Sequence, residues 1–429
     1  MSMREWRQET LWTMTANAAS DYSTTGLPET ADIVVIGGGF TGMTAALELA
    51  RAGKRVVVLE QSLIGEGASG MNAGFVVPNF AKADPDAVRR KLPGAKAEAL
   101  LQLVAEGGDA VFATIRQEQI ACDGRQVGWL QPAYGTKAAD MLRRRAETWQ
   151  RLGRPVRFLS ADEIEAETGM AIYQGGLLDE SGGTIHPLNY LFGLAKAVTR
   201  CGGLIREQAA VQAVQKTGKG WQVGYAGGEI AADVVLLATN AFTDGIAASL
   251  GRTVVPLRVY QVATRPLSDT VVERIAPRRR PVGDTRLNLF TYRLDRDNRL
   301  ISGGMAINPR GAPERVGKAV IDRLVHELRL EARPEIEIVW SGVAAMTPDF
   351  LPRIHEYGPG FIGGIGCNGR GIAMTGQLGR VLARAALGER AASLPVPLLS
   401  PRNLPFHRLT PLAASAGLAQ ARLSDWWHG

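Results

Sequence analysis

Cysteine is scarce in this chain, with Cys122, Cys201 and Cys367 as the three examples among 429 residues. An odd and small number argues against a disulfide framework and fits a reducing compartment. Histidine is also rare, with five in the chain, and no group of His, Cys or carboxylate residues has metal-ligand spacing. We therefore expect neither structural disulfides nor a metal centre.

Long apolar runs are missing as well. No stretch reaches the ~18 apolar residues of a membrane-spanning helix, and the first twenty residues lack the apolar centre of a signal peptide. The segments "GASG" and "ESGG" are not nucleophile elbows, so nothing predicts a serine hydrolase. These absences predict a cytoplasmic protein without a membrane span.

Positive charge is in excess, with a formal net charge of +7. The dense runs Arg143–Arg145 and Arg278–Arg280 are not interleaved with aromatic residues, as a groove for single-stranded nucleic acid requires. We interpret both runs as solvated surface and expect no nucleic-acid partner. An RNA-modifying enzyme is a remaining alternative, which would need a basic stripe.

Glycine is abundant, with fifty residues, and the glycines near the start follow a recognisable pattern. Residues 31–60 read "ADIVVIGGGFTGMTAALELARAGKRVVVLE", which predicts a buried strand, a tight turn, a helix and a second buried strand. Gly37 permits the turn, Gly39 lets the backbone approach a pyrophosphate, and Gly42 lets the helix pack on the strand. The helix N-terminus faces phosphates, and Glu60 is placed to accept hydrogen bonds from ribose hydroxyls. This unit predicts a dinucleotide site.

Two further glycine-rich segments favour a long, flat ligand. "GEGASGMNAGF" follows the second strand, where a simple NAD domain would begin its next helix or strand; a flexible surface loop is the alternative. "GGIGCNGRGIAM" leaves its backbone almost bare and opens a helix, which directs N–H groups and a positive dipole end at whatever it faces. A glycine cap followed by an ordinary turn is the alternative there. Together the segments favour FAD over NAD.

These stretches, with "GGLLDESGGTIHPLNY", "YRLDRDNRLISGG", "WSGVAAMTPDFLPRI" and "GFIGGIGCNGRGIAMTGQLGR" in the same order, resemble the FAD-dependent D-amino acid oxidase (DAO) superfamily. Within it they are most similar to the gamma-glutamylputrescine oxidase-like amine oxidoreductases. The resemblance implies an α/β fold: a Rossmann-like FAD-binding domain and a second, sheet-based α+β substrate domain. We predict a discontinuous FAD domain of residues 30–80, 186–255 and 336–393. Residues 81–185 and 256–335 would form the substrate domain, flanked by an N-terminal extension (1–29) and a C-terminal tail (394–429).

The resemblance also implies the FAD contacts. These residues are Gly37, Gly39, Phe40, Thr41, Gly42, Glu60 and Gln61; Gly67, Ala68, Ser69, Asn72, Gly74 and Phe75; Val211, Thr239 and Asn240; and Gly364, Asn368, Gly369, Arg370, Gly371 and Ile372. Relatives that bind FAD covalently use a Cys before the segment matching "TPD" or a His in the first flavin loop, and this chain has neither. We therefore predict non-covalent FAD and interpret Cys367 as a plain buried thiol.

Substrate contacts are predicted on strands of the second domain, at Tyr260, Arg286, Asn288 and Tyr292. Arginine can hold a carboxylate through two parallel hydrogen bonds, and tyrosine can wall an amine pocket; each residue could also be ordinary surface or core. Arg293, Arg296 and Arg299, beside the turn "LDRDNR", are expected to face solvent. His186 precedes Pro187 and is expected at a helix entry.

The implied reaction is oxidation of a C–N bond by hydride transfer to flavin N5, giving an imine that hydrolyses to an aldehyde or keto acid. Gamma-glutamylated or N-alkylated amines and amino acids are the implied substrates. No acid–base residue is named, because an already neutral amine can supply the driving lone pair. The segment from Gly251 to Arg310 contains no Lys, the residue that some relatives place over the flavin. The electron acceptor is therefore O₂ or another carrier, and a dehydrogenase or a non-catalytic flavin-binding subunit stays open.

Overall fold

The computed structural model describes residues 8–81, 83–242, 245–246, 248–288, 290–308, 310–405 and 407. The helices are α1 (Leu11–Thr15), α2 (Phe40–Arg51), α3 (Pro85–Lys91), α4 (Gly94–Ala105), α5 (Gly107–Gln117), α6 (Thr136–Arg151), α7 (Ala161–Thr168), α8 (Pro187–Arg200), α9 (Ala248–Gly251), α10 (Asp269–Ile275), α11 (Ala312–Glu327) and α12 (Gly371–Ala386). The first strands are β1 (Thr30–Ile36), β2 (Val56–Leu59), β3 (Phe75–Val76), β4 (Trp129–Pro132), β5 (Val156–Leu159), β6 (Gly176–Asp179), β7 (Gly183–Thr184), β8 (Leu204–Arg206), β9 (Val211–Thr217) and β10 (Gly220–Tyr225). The remaining strands are β11 (Gly228–Leu237), β12 (Val255–Pro266), β13 (Val282–Gly283), β14 (Thr291–Leu294), β15 (Arg299–Gly304), β16 (Ile336–Met346), β17 (Arg353–Gly358), β18 (Phe361–Ile365) and β19 (Leu398–Leu399).

The first sheet is built around the apolar strands of the opening motif. Its order is β19-β17-β18-β11-β1-β2-β8, with β10 pairing β11 and β9 pairing β10. The strands from β18 to β8 run parallel to one another. Parallel strands are buried on both faces, and their sequences therefore read as continuous apolar runs such as "DIVVI". This arrangement confirms the predicted α/β class.

Helix α12 packs closely against α2 beside the first sheet. A Cβ added at Gly379 of α12 would lie 2.8 Å from Cβ of Thr44 in α2. The absence of a side chain there lets the two backbones approach. As a result, the N-termini of α2 and α12 lie close to the same cavity, described below.

The second sheet is largely antiparallel, in the order β16-β12-β15-β14-β13-β4-β6-β5. Helices α10 and α11 share one apolar core with a face of this sheet. Strand β16 pairs with β12 from Ile336 to Met346. The predicted boundary at residue 336 therefore falls where β16 begins, and the 11 residues of β16 belong to the second sheet although they were predicted to belong to the FAD domain.

One local prediction, for His186, can be compared with the structure directly. His186 caps α8, because its Nδ1 accepts a hydrogen bond from the Asn189 N–H at 3.1 Å and Pro187 lies in the first turn. This confirms its helix-entry role. Burial lowers the pKa of His186 to about 4, so the ring stays neutral and can accept that bond. Helix α11 ends at Glu327, and Arg329 just beyond it has a φ of +48°.

The arginine runs are less solvated than predicted. Arg143 and Arg144 are exposed, but Arg145 is only partly so, and burial lowers its pKa. Arg278 and Arg280 both pair with the buried carboxylate of Glu167. The surface interpretation is therefore wrong for Arg280, whose Nε also donates to the Val127 carbonyl at 2.8 Å.

The two ends of the chain differ in what the structure describes. In the C-terminal tail, β19 pairs with β17 at the edge of the first sheet, whereas Trp426 and Trp427 lie outside the described residues. Near the N-terminus, Leu11 and Trp12 are buried. Within the described part of the chain, no helix combines the length and apolar character required to cross a bilayer.

Candidate active site

A cavity of about 780 Å³ lies between the two sheets. One wall, the cofactor wall, consists of the β1–α2 turn, the loop of residues 67–75 and the glycine loop of residues 366–371. The opposite wall, the sheet wall, is the face of the second sheet that points away from α10 and α11. A ligand in this cavity would be held between backbone on one side and side chains on the other.

The β1–α2 turn is shaped by its glycines. Gly37 has a φ of +105°, a conformation that favours glycine, and its N–H donates to the Leu59 carbonyl at 2.9 Å. A Cβ at Gly42 would collide with the Gly37 carbonyl oxygen. Because glycine has no Cβ, the helix can begin this close to the strand. Phe40 and Thr41 in the first turn of α2 line the cavity, and a helix N-terminus in such a position can bind phosphates.

Glu60 lies at the end of β2 and lines the same part of the cavity. Its Oε2 accepts from the Gly38 N–H at 2.8 Å, and its Oε1 accepts from the Ser62 N–H at 3.0 Å. Burial raises the pKa of Glu60, although these backbone donors oppose the shift. The carboxylate thus fixes two turns while lying at the cavity surface, where the sequence predicted ribose contacts.

The loop of residues 67–75 is joined to the β1–α2 turn and to the strand behind it. Ser69 Oγ accepts from the Phe40 N–H at 3.0 Å. Asn72 holds the loop from within, since its Nδ2 donates to the Ser69 carbonyl at 2.8 Å and its Oδ1 accepts from the Gly74 N–H at 2.9 Å. Phe75 meets Trp129 edge-on, with ring centroids 5.7 Å apart. The loop is therefore an ordered surface beside the cavity.

The C-terminal glycine loop presents bare backbone, as predicted. A Cβ at Gly369 or Gly371 would meet no heavy atom of the described residues within 4 Å. Asn368 has a φ of +53°, and its Oδ1 accepts from the Thr347 N–H at 2.7 Å. This side chain shapes the loop and ties it to the end of β16, and α12 begins directly afterwards.

Arg370 is a buried cation at this position, with no carboxylate partner among the described residues. Its Nε has no hydrogen-bond acceptor among the described residues, and its Cζ lies 5.7 Å from the centroid of the Trp129 ring. Burial, together with the nearby charge of Arg145, lowers the pKa of Arg370 to about 10. The guanidinium is therefore protonated at neutral pH, and an anionic group in the cavity would be stabilised by it.

On β12, the sheet wall is built from alternate residues. Val255, Leu257, Val259 and Gln261 of β12 line the cavity. Successive side chains of a strand point to opposite faces, so Tyr260 faces the other way and lies in the core with α10 and α11. On β14, Thr291 lines the cavity and Tyr292 is buried in that core, with its hydroxyl donating to the Ile275 carbonyl at 2.9 Å.

Tyr260 and Tyr292 were therefore predicted on the wrong face of the sheet. Arg286 also lies off the cavity wall, because its Nε donates to Asp284 and its Nη1 donates to Glu327, both at 2.5 Å. Asn288 does line the cavity, on the loop that this ion-pair network holds. Of the four predicted substrate contacts, Asn288 is thus the one that lines the cavity.

Most predicted FAD contacts come together around the cavity. Those that line it are Gly37, Gly39, Phe40, Thr41, Glu60, Gln61, Gly67, Ala68, Ser69, Asn72, Phe75, Val211, Thr239, Asn240, Asn368, Gly369, Arg370, Gly371 and Ile372. Gly42 and Gly364 lie behind it, where an added Cβ would meet the Gly37 carbonyl and the Leu382 side chain. Gly74 is buried against Arg293. These three glycines shape the wall from behind.

Several residues at or beside the site were missed by the sequence analysis. Gln261, Thr291 and Trp129 line the cavity, and strict period-2 alternation along β12 and β14 could have selected the first two. Arg293 was expected to face solvent but is 3% exposed, and it donates to the Gly74 carbonyl at 2.7 Å. Nothing local in "YRLDRDNR" distinguishes this arginine from the exposed Arg296, because its partners lie far away along the chain. Arg299 was also expected to face solvent, but its side chain is only 15% exposed and pairs with Asp295, Asp297 and Glu337.

The chemistry of the cofactor wall fits FAD. It offers a glycine turn that leads into a helix N-terminus for a pyrophosphate, a carboxylate beside it for ribose, and bare backbone next to a cation for a flat ring that becomes anionic on reduction. Bound there, FAD would be held by the β1–α2 turn, the loop of residues 67–75 and the glycine loop. The fold and the cavity together define a dinucleotide-binding oxidoreductase with a separate substrate sheet.

Comparison with known proteins identifies the family. The DAO family, described as FAD dependent oxidoreductase, matches residues 32–385. The chain is 33% identical over 376 residues to gamma-glutamylputrescine oxidoreductase of Escherichia coli (strain K12), covering 87% of this chain and 88% of the relative. It is 26% identical over 344 residues to glycine oxidase of Geobacillus kaustophilus (strain HTA426), covering 76% and 84%. The chain belongs to the DAO family of FAD-dependent oxidoreductases, which act on CH–NH and CH–NH₂ donors.

Solved structures agree on the fold. The crystal structure of glycine oxidase from Geobacillus kaustophilus matches with a TM-score of 0.70 at 21% identity, over 85% of this chain and 96% of that one. L-proline dehydrogenase from P. horikoshii matches with a TM-score of 0.73 at 21% identity, over 86% and 96%. The predicted two-part FAD-oxidoreductase fold is therefore confirmed.

Proposed function

We propose that this protein oxidises the C–N bond of a gamma-glutamylputrescine-like or N-alkylated amine or amino acid, with FAD held non-covalently. The observation that carries the proposal is one cavity in which a glycine-rich cofactor wall faces a largely apolar sheet wall. The likeness to gamma-glutamylputrescine oxidoreductase over most of both chains supports this substrate class.

Bound FAD would accept a hydride from the carbon next to the nitrogen, and the resulting imine would be hydrolysed to an aldehyde or keto acid. The protein's part is to position the substrate and exclude water. Val255, Leu257 and Val259 supply an apolar surface for this purpose. An amine on such a surface is favoured in its neutral form, since burial disfavours charge.

Proton transfer needs no carboxylate in this scheme. Glu60 is the only carboxylate among the described residues that line the cavity, and both of its oxygens accept backbone hydrogen bonds. Gln261 is better placed to contact the substrate, because its Oε1 is buried and has no donor among the described residues. We infer that Gln261 accepts a hydrogen bond from the substrate nitrogen.

Arg370 would stabilise negative charge and would not transfer a proton. When the bound cofactor gains electrons, negative charge develops on its ring, and a fixed cation nearby lowers the free energy of that state. A substrate carboxylate is the alternative partner for the same guanidinium. Both assignments are consistent with a protonated arginine whose Nε lacks an acceptor among the described residues.

The electron acceptor is the open part of the proposal. The described cavity lining includes no lysine, which leaves O₂ and a separate carrier such as a quinone as alternatives. A non-catalytic flavin-binding subunit is the alternative from another class of function. The intact cofactor wall together with a separate substrate wall favours an enzyme.

The test is an anaerobic titration of the purified protein with gamma-glutamylputrescine and with N-alkylated amino acids, followed by air. We expect the visible flavin band to bleach with a substrate amine and not with the analogue whose terminal amine is replaced by a hydroxyl. Return of the band in air would identify an oxidase, and a persistently bleached band would identify a dehydrogenase. A flavin band that no amine bleaches would contradict the proposed reaction.

A further inference from the structure

A short N-terminal segment packs behind the cofactor wall. Residues 8–15 precede the residues that match the DAO family, which begin at residue 32. The segment includes α1, whose Leu11 and Trp12 are buried in a cluster with Met71 and Trp340. An isolated helix of this length is not stable in water, so α1 is held by the surfaces it contacts.

Gln8 fastens the segment to the second sheet. Its Nε2 donates to the Ser341 carbonyl at 2.6 Å, and its Oε1 accepts from the Ser341 N–H at 2.9 Å. Strand β16 is an edge strand of that sheet, so the carboxamide occupies backbone groups that an edge leaves free. The next residue, Gly342, lines the cavity.

Trp12 fastens the segment to the loop of residues 67–75. Its ring is 1% exposed, and its Nε1 donates to the Asn72 carbonyl at 2.6 Å. Trp340 lies edge-on to it, with centroids 6.0 Å apart, and its Nε1 donates to the Met71 carbonyl at 2.9 Å. Two indole N–H groups therefore hold two successive carbonyls of the loop.

Arg293 contacts the next two carbonyls of the loop. Its Nη1 donates to the Gly74 carbonyl at 2.7 Å and lies 3.3 Å from the Ala73 carbonyl, and its Cζ lies 5.6 Å from the Trp12 ring. The carbonyls of residues 71–74 are thus all held from behind, by Trp340, Trp12 and Arg293. With these carbonyls held, Asn72 and Phe75 of the loop line the cavity.

We propose that residues 8–15 are a cofactor-positioning element, in which Gln8 and Trp12 hold the loop of residues 67–75 in its FAD-binding conformation. This rests on the proposed function, since it assumes that FAD lies against that loop. A loop rich in small residues loses conformational entropy on ordering. Contacts that order it before FAD arrives spare that loss at the binding step and tighten binding.

The test compares three full-length variants. Gln8→Ala removes the two hydrogen bonds to Ser341, and Trp12→Phe removes the indole N–H while keeping an aromatic ring. Asn17→Ala is the matched control, because its side chain donates to the Ala121 carbonyl at 2.9 Å and not to the loop. The measurements are the FAD dissociation constant, from quenching of FAD fluorescence, and the unfolding temperature of the FAD-free protein.

We expect the FAD dissociation constant to rise about fivefold in Gln8→Ala and about tenfold in Trp12→Phe, and to change less than about twofold in Asn17→Ala. Gln8 is partly exposed, so Gln8→Ala should leave the FAD-free unfolding temperature nearly unchanged even if Trp12→Phe folds poorly. Lower unfolding temperatures with unchanged FAD affinity in Gln8→Ala and Trp12→Phe would overturn the proposal, and so would an equal loss of affinity in Asn17→Ala. Failure of the unchanged protein to bind FAD would instead refute the proposed function.

Discussion

The two walls of the cavity would hold a ligand by different means. The cofactor wall presents backbone, and its glycines matter for the side chains they lack: a Cβ at Gly42 would collide with the Gly37 carbonyl. The sheet wall presents side chains, and which ones it presents depends on strand alternation, with Gln261 toward the cavity and Tyr260 away from it. Substitutions in the two walls should therefore impair ligand binding in different ways.

The two walls differ most clearly in the backbone strain that a substitution would cause. Substitutions at Gly37 and Gly42 of the cofactor wall would force backbone to move, because an added Cβ would collide with the Ala238 or the Gly37 carbonyl oxygen. On the sheet wall, a change of side chain alters the cavity surface and leaves the strand pairing intact. The first wall should thus control whether the cofactor binds, and the second should control which substrate binds.

The largest effect is expected for Gly42→Ala. The added methyl group would need the Gly37 carbonyl to shift, and overpacking of this kind costs ~1–3 kcal/mol, so the FAD dissociation constant should rise about 10- to 100-fold. The control is Gly376→Ala in α12, where the added Cβ has no heavy atom within 4 Å in the described part of the chain outside the backbone of its own helix. Equal FAD affinities of the two variants, measured by fluorescence quenching, would show that close packing at the turn is unimportant.

The second-largest effect is expected for Arg370→Met. Loss of a fixed cation beside developing negative charge typically costs about 10²-fold in rate, so substrate should reduce the bound flavin far more slowly. Arg144→Met, at an exposed position of α6, is the control. Stopped-flow measurement of anaerobic flavin reduction is the readout, and an unchanged rate in Arg370→Met would remove this residue from the reaction.

The same residue predicts a pH dependence. Burial lowers the pKa of Arg370 to about 10, so its positive charge is present below that pH and is lost as the pH rises through it. Flavin reduction in the unchanged protein should accordingly slow as the pH approaches 10 from below. Arg370→Met should lack this step, and a step of equal size in both proteins would assign it to another group.

The cofactor wall was predictable because its signals are local. The strand, turn, helix and second strand lie within residues 31–60, and Gly42 packs against the Gly37 carbonyl five residues away. Contacts between distant segments were not predictable: Trp12 reaches Asn72, and Arg293 reaches Gly74. On the sheet wall, the sequence predicts the strands, but the chemistry of a tyrosine does not show which face of a strand it occupies. The alternation of side chains along β12 and β14 decides this, and it puts Tyr260 and Tyr292 on the face opposite to the predicted one.

Alternation leads to a paired prediction. Gln261→Ala should raise the substrate KM about three- to tenfold, because it removes a cavity-facing hydrogen-bond group, while the unfolding temperature changes little. Tyr292→Phe should do the reverse: losing the buried bond to the Ile275 carbonyl lowers stability by about 1 kcal/mol and leaves KM unchanged. Steady-state kinetics and thermal unfolding of both variants provide the test, and a KM effect confined to Tyr292→Phe would contradict the assigned faces.

The smallest effect is expected for Cys367→Ser, on the cofactor wall. Cys367 is the cysteine among the described lining residues, which include no histidine, and burial raises the pKa of its thiol. A protonated thiol is a poor nucleophile, so no bond to the cofactor is expected even though the sulfur lies at the cavity. Acid precipitation should release all yellow colour into the supernatant for both the unchanged protein and Cys367→Ser. A yellow pellet from the unchanged protein that turns colourless in Cys367→Ser would instead establish a covalent link, and the cofactor wall would then hold FAD through a side chain as well as through backbone.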